Sequence, residues 1–249
     1  MGSASLDRRR SAVGWLLALV VLTLYGTIPL SLAGDVLQRP GVVSPHSDLW
    51  IGPIVAAFAL SGAALTHLRP WNVIGWLLLL SALLQVTNLA ANAYSIRALT
   101  DPDGSLPLGL ATAWVASWTW LPSLLLVALV LPAVYPTGHP PSRYWTWHVR
   151  LTVVALVVAT VLLGVAPGAV DDGVAGTELP WSVPAWALWV VGAPTVVLLA
   201  GSAGSVIVGT AWRAVRASAP ERQQLLWLLS VVALMVGTVF TEYRLLFGL

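Results

Sequence analysis

The chain has 249 residues, 58% hydrophobic and 9% charged, with 12 basic residues, all arginine, 10 acidic residues and a net charge of +2. Soluble proteins run near a quarter charged, so this composition excludes a soluble globule and places the chain in lipid. Having no cysteine excludes disulfides, thiolate metal sites and cysteine nucleophiles, and arginines scattered over gaps without a dense basic run exclude a nucleic-acid partner.

Seven apolar stretches follow in order: Ala12 to Leu32, Trp50 to Leu68, Trp71 to Asn92, Leu110 to Val134, Val149 to Pro167, Val183 to Ala211 and Leu225 to Phe240. Most approach the ~20 residues that a helix needs to cross a hydrocarbon core of about 30 Å. The expected fold is all-α, a polytopic transmembrane helix bundle of about seven spans. Residues 1–11 form a basic cytoplasmic N-terminus, 12–240 the helical membrane domain, and 241–249 a short tail that stops before an expected further span. The orientation follows from charge. With the N-terminus cytoplasmic, nine arginines (8, 9, 10, 69, 143, 150, 213, 216 and 222) fall inside and three (39, 97 and 244) outside, as the positive-inside rule requires. Most acidic residues, including Asp35, Asp48, Asp101, Asp103, Asp171, Asp172 and Glu178, fall outside. All-arginine usage with abundant Ala, Gly, Val and Leu points to a GC-rich bacterial genome, hence a bacterial cell membrane.

The first span is preceded by Arg8 to Arg10 and ends in Ser31-Leu32-Ala33, a small-x-small pattern like a signal-peptidase site. Its apolar run is longer than a typical signal's, so it is read as a retained helix. The loop from Ala33 to Leu49 holds Pro40, Gly41 and Pro45 and should be irregular. Between spans two and three, His67-Leu68-Arg69-Pro70 predicts a tight hairpin, because proline ends a helix and restricts the residue before it. Span three carries Ser81, Gln85, Asn88 and Asn92 at offsets of 4, 3 and 4, so they share one helix face. The next turn is built on Asp101-Pro102-Asp103-Gly104. Span four places Trp114, Ser117 and Trp118 at the depth of that polar face. Tyr135 to Arg150, with three prolines, reads as an extended connector whose Tyr144, Trp145 and Trp147 sit at the headgroup level. Trp181 and Trp186 bracket the start of span six, in which Gly201, Ser205 and Gly209 recur every four residues and would allow close packing against a neighbour, in this chain or another.

Five segments together, RPWNVIGWLLL from Arg69, GSLP from Gly104, WVASWTWLP from Trp114, YPTGHPPSRYW from Tyr135 and PERQQLLWL from Pro220, resemble in order and spacing the membrane input region of actinobacterial two-component sensor histidine kinases. The likeness runs from about Arg69 to Phe240. In such kinases the last helix leads, usually after another crossing, to a phosphoacceptor helix pair and an ATP-binding domain. That part is missing here, so the resemblance implies a signalling input without a catalytic site in this chain, either acting through a homodimer or a membrane or cytoplasmic partner or forming a fragment of a longer gene product.

Catalytic chemistry finds no foothold in the residues. His46, His67, His139 and His148 lack metal-ligand spacing, Gly201 to Gly204 has the wrong order for an intramembrane serine protease, and no phosphate-binding glycine loop occurs. No catalytic residue, metal site or cofactor is therefore assigned. The candidate ligand site is Gln85, Asn88 and Asn92 facing Trp114, Ser117 and Trp118, a polar stripe against aromatic residues in the outer half of the bundle, suited to an amphipathic or lipid-like molecule. The competing account is interhelical hydrogen bonding, an ordinary packing device in membranes. No ionisable residue sits mid-span, which weighs against an ion-coupled transporter. A small permease or export component and a membrane accessory subunit are the alternatives to sensing.

Overall fold

The computed structural model describes residues 3–40, 42, 51–166, 183–227 and 230. Six helices dominate: α1 (Ser3–Ser31), α2 (Gly52–Leu68), α3 (Val73–Leu99), α4 (Gly109–Val134), α5 (Arg143–Gly164) and α6 (Ala185–Arg216). Residues 219–227 form a further helical segment. Five of the six are long and apolar enough to cross a membrane, α2 being the shorter exception at 17 residues. Among the described residues the protein is thus all-helical, and its long apolar helices make it membrane-embedded, as its composition predicts. Lipid offers no hydrogen bonds, so a spanning backbone must satisfy its own groups, and helices do so within each segment. The seventh expected span, Leu225 to Phe240, and the tail at 241–249 lie almost wholly outside the described residues, as do His46, Asp171, Asp172, Glu178 and Trp181.

Local sequence sets the helix boundaries. The α2–α3 hairpin is as tight as its proline predicts: α2 stops at Leu68 and α3 starts at Val73, where the Asn72 side chain accepts a hydrogen bond from the Ile74 amide at 2.9 Å. The arms then press together at two glycines, a Cβ on Gly62 falling 2.8 Å from the Gly75 carbonyl oxygen. In the turn at Asp101 to Gly104 the Gly104 amide donates to the Asp101 carbonyl at 3.1 Å, with Gly104 at φ +59. The loop after α1 is less irregular than expected at its start, holding a 3-10 turn at Val36–Gln38.

Three boundaries differ from the sequence expectation. Helix α3 continues to Leu99, so Arg97 belongs to its last turn rather than to a loop. Helix α5 begins at Arg143, because the Ser142 hydroxyl accepts from the Trp145 amide and caps it. The connector is therefore only residues 135–142, and Tyr144, Trp145, Trp147 and His148 are helical. Helix α6 runs on to Arg216. Within α4, the segment Leu126–Val130 is π-helical, flanked by Pro122 and Pro132; the rings remove amide donors and loosen the regular ladder around them.

Helices α1, α2 and α3 pack as one unit on small buried residues, with Ala18, Ala59, Ala63 and Ala82 letting the backbones approach. Helix α4 lies along α3, α5 along α4, and α6 rests mainly on α5 and the last turns of α4. The outer faces are apolar, and Leu16, Leu19, Val154, Val157, Val197 and Val208 are each more than half exposed. Such a surface is favourable only against hydrocarbon or another apolar partner.

Contacts between loops define two ends. At one, Arg10 meets Pro70, Ser11 meets His67, and Arg213 meets Tyr135. At the other, Arg39 donates to the Thr100 carbonyl and Arg97 to that of Leu30. Eight arginines (8, 9, 10, 69, 143, 150, 213 and 216) belong to the first end and Arg222 follows directly, whereas the second holds Arg39 and Arg97 among the described residues. Three arginines at the first end lie over tryptophan rings: Arg10 over Trp71, Arg150 over Trp147 and Arg216 over Trp212, at 3.4, 5.4 and 3.9 Å.

Candidate functional site

The polar face of α3 meets α4 directly. Ser81 is buried and its hydroxyl donates to the Ser123 carbonyl at 2.7 Å; the Ser123 hydroxyl in turn donates to Gln85 Oε1 at 2.7 Å. One turn on, Asn88 Nδ2 donates to the Ala116 carbonyl at 2.6 Å. Pro122 and the π-helical turn lie beside these contacts, where α4 carbonyls accept bonds from outside their own helix. The backbone carbonyl of Asn92 accepts from the Ser95 hydroxyl.

On α4, Trp114 Nε1 donates to the Gly164 carbonyl at the end of α5 at 2.7 Å, and its ring meets Trp118 edge-to-face with centroids 5.7 Å apart. Gly164 packs against both rings, and a Cβ there would make ordinary contacts with them, 3.5 Å from Trp118 and 3.7 Å from Trp114. Ser117 donates within its own helix, to the Trp114 carbonyl. Trp118 Nε1 is buried without a partner among the described residues. The six residues singled out from sequence thus divide: Gln85 and Asn88 tie α3 to α4, Trp114 and Trp118 seat the end of α5, Ser117 turns back on its own backbone, and Asn92 contributes its backbone carbonyl within α3.

A second polar seam joins α5 to α6. The Thr152 and Ser202 hydroxyls lie 2.7 Å apart, both buried, and His148 Nε2 is 3.2 Å from the same Ser202 oxygen. One turn toward the arginine-rich end, the Tyr144 hydroxyl meets the Ser205 hydroxyl at 2.6 Å. Tyr144 and Trp145 both pack on the His148 ring, and the Trp145 indole covers Gly209 so closely that a Cβ there would overlap it. Of the small-residue stripe, then, Ser205 and Gly209 face α5 of the same chain, whereas a Cβ on Gly201 would meet open space. The buried face of α6 is Thr195, Ser202, Val206, Thr210 and Ala214, one position round from that stripe.

Arg213 completes the seam. Its guanidinium donates to the carbonyls of Tyr135 at 2.6 Å and Pro132 at 3.4 Å, satisfying the open C-terminus of α4, where a cation also complements the helix dipole. Sequence reasoning missed Ser123, Thr152, Ser202 and the cap by Arg213. The i, i+4 pair of His148 and Thr152 was a readable signal once α5 was allowed to start at Arg143; the arginine cap had none, because it joins residues far apart in the chain.

At the opposite end, the Arg39 guanidinium, 3.0 Å from Asp35 Oδ1, holds that carboxyl below its ordinary range by hydrogen bond and charge. Asp101 is lowered by the Ser105 hydroxyl and amide, both donating to its Oδ2. Among the described residues no cluster of metal-ligating side chains occurs. No family model, characterised protein or solved structure matches the chain.

Proposed function

We propose that the chain is a sensory or signal-transducing module of a bacterial cell membrane, resembling the input region of a sensor histidine kinase and acting through a partner. Its N-terminus and arginine-rich end face the cytoplasm, in keeping with the positive-inside rule. The observation that carries this proposal is how α6 is held. Helices α1 to α4 interlock through extensive buried surfaces, whereas α6 is attached on one side only, by hydroxyls, one imidazole, the Arg213 cap and a small apolar cluster of Val206 with Trp145 and Ala133, with Trp189, Val197 and Val208 exposed along its outer surface. Such bonds exchange partners in small helix displacements, the movement by which packed helices pass a signal. Three of the five segments that carry the family likeness, those beginning at Arg69, Tyr135 and Pro220, also gather where α6 ends.

The amides of Gln85 and Asn88 are engaged in holding α4, which supports their packing role over a ligand site and gives a permease less to work with. Because the chain lacks cysteine, spin labels at Leu16→Cys and Val208→Cys would report the separation of α1 and α6, with Leu16→Cys and Leu80→Cys as a reference within the α1–α3 unit. In vesicles of short-chain and long-chain phosphatidylcholine, the α1–α6 distance should change by about 1–2 Å or more while the reference stays fixed. An α1–α6 distance constant in every bilayer would overturn the proposal, and solute flux through the same vesicles would favour the permease.

A further inference from the structure

At the arginine-rich end a groove of about 390 Å³ is lined by Arg9, Arg10, Val13 and Trp76. It is a built feature, since the Pro70 carbonyl accepts from Arg10 Nη1 at 3.4 Å and from Trp76 Nε1 at 3.1 Å and so fixes two walls against the α2–α3 turn. The Arg10 guanidinium carbon lies over the Trp71 ring, 3.4 Å from its centroid. The nearby carboxylate, Asp7, accepts from Trp71 Nε1 at 3.0 Å, and among the described residues neither Arg9 nor Arg10 has a carboxylate partner, in contrast to Arg39, which pairs with Asp35 at the other end. A guanidinium has five N–H donors, so two of them here offer donors and positive charge to an anion.

The floor of the groove is apolar and continues into the bilayer-facing surface. Val13, Leu16 and Val20 follow at offsets of 3 and 4 on α1 and are all exposed, so they form one stripe running from the groove along the helix. A cationic pocket at headgroup depth opening onto an apolar track matches one occupant in both charge and shape. We infer that this groove binds a single anionic phospholipid, with its phosphate between Arg9 and Arg10, its glycerol against Trp76, and an acyl chain along Val13, Leu16 and Val20. The inference rests on the membrane-embedded fold and is independent of the signalling role.

The test uses the full chain in detergent, titrated with phosphatidylglycerol or phosphatidylcholine and read by native mass spectrometry, with circular dichroism to verify each variant's fold. One phosphatidylglycerol should bind in preference to phosphatidylcholine. Arg9→Gln should weaken it about fivefold, the effect of roughly 1 kcal/mol per basic residue. Val13→Trp, which fills the groove without altering charge, should weaken it comparably, whereas Arg8→Gln, outside the lining, should leave it unchanged. Equal weakening by Arg8→Gln and Arg9→Gln would mean diffuse surface charge and overturn the site. Displacement of the lipid by inorganic phosphate alone would overturn the lipid as occupant. Arg9 is exposed, so the Arg8 and Arg9 comparison decides the matter even if Val13→Trp fails to fold.

Discussion

Gly201 and Gly209 lie about two turns apart on one side of α6, yet an added methyl group has opposite consequences at the two positions. At Gly209 it overlaps the Trp145 indole, a rigid ring already wedged beside His148; at Gly201 it meets nothing. Gly209→Ala should therefore destabilise the fold by about 1–3 kcal/mol, the range for overpacking, while Gly201→Ala should be neutral or gain up to about 1 kcal/mol of helix propensity. Unfolding in detergent followed by circular dichroism separates them, and similar losses at both would contradict the α5–α6 packing. The four-residue spacing was legible in the sequence, but the side of α6 that is buried was not, because a turn of 100° per residue puts Ser202 and Gly201 on adjacent faces and only the aromatic start of α5 selects between them. Asp101 offers a pH test at the opposite end. Its folded pKa is depressed by Ser105, so the loop contact is fully present above the ordinary carboxylate pKa and is lost as pH falls through the lowered value. The Ser105 amide should exchange faster in Asp101→Asn than in the parent at neutral pH, and the difference should vanish in acid.

Between elements, the two polar seams differ in what they anchor. The α3–α4 seam combines three hydrogen bonds with extensive burial, so removing one of them should cost little: a double-mutant cycle on Gln85 and Ser123 should give a coupling near ~0.6 kcal/mol, the average in membrane helices. Arg213 is different because two α4 carbonyls depend on one cation. Arg213→Met should cost about 2 kcal/mol, as expected for hydrogen bonds to a charged group, and should loosen the end of α6 without disturbing α1 to α3. Hydrogen exchange on the full chain locates the effect, and loss of protection spread evenly over all helices would show that α6 is not separately held. Most helices, the tight α2–α3 hairpin and the polar face of α3 could be read from the sequence, since each follows from hydropathy, proline or a 3.6-residue period. The early start of α5 could not, because the proline-rich and aromatic stretch before Arg150 also has the composition of a connector, and the deciding hydrogen bond comes from a single serine, Ser142.

Across the whole molecule, charge and length together fix a plane. Trp189 and Trp212 on α6 are 23 residues apart, about 34 Å at 1.5 Å per residue, close to the ~30 Å of a hydrocarbon core; both are exposed, as interfacial anchors are. Beyond Trp212 lie Arg213 and Arg216, and the neighbouring helix ends contribute Arg8 to Arg10, Arg69, Arg143 and Arg150 to the same side. Moving so many guanidinium groups across a bilayer during insertion is far costlier than moving Arg39 and Arg97, one of which already has its charge matched by Asp35. With helices of this length and apolarity between them, the two ends are expected on opposite sides of the membrane, and the charge predicts which side is which. Single cysteines at Arg143 and Asp103, in an otherwise cysteine-free chain, make this measurable with an impermeant maleimide. In intact bacterial cells Asp103→Cys should react and Arg143→Cys should be protected until the membrane is opened. The reverse pattern would invert the topology and place the lipid groove in the outer leaflet; labelling of both sites in intact cells would overturn the spanning arrangement of α4, the helix that connects them.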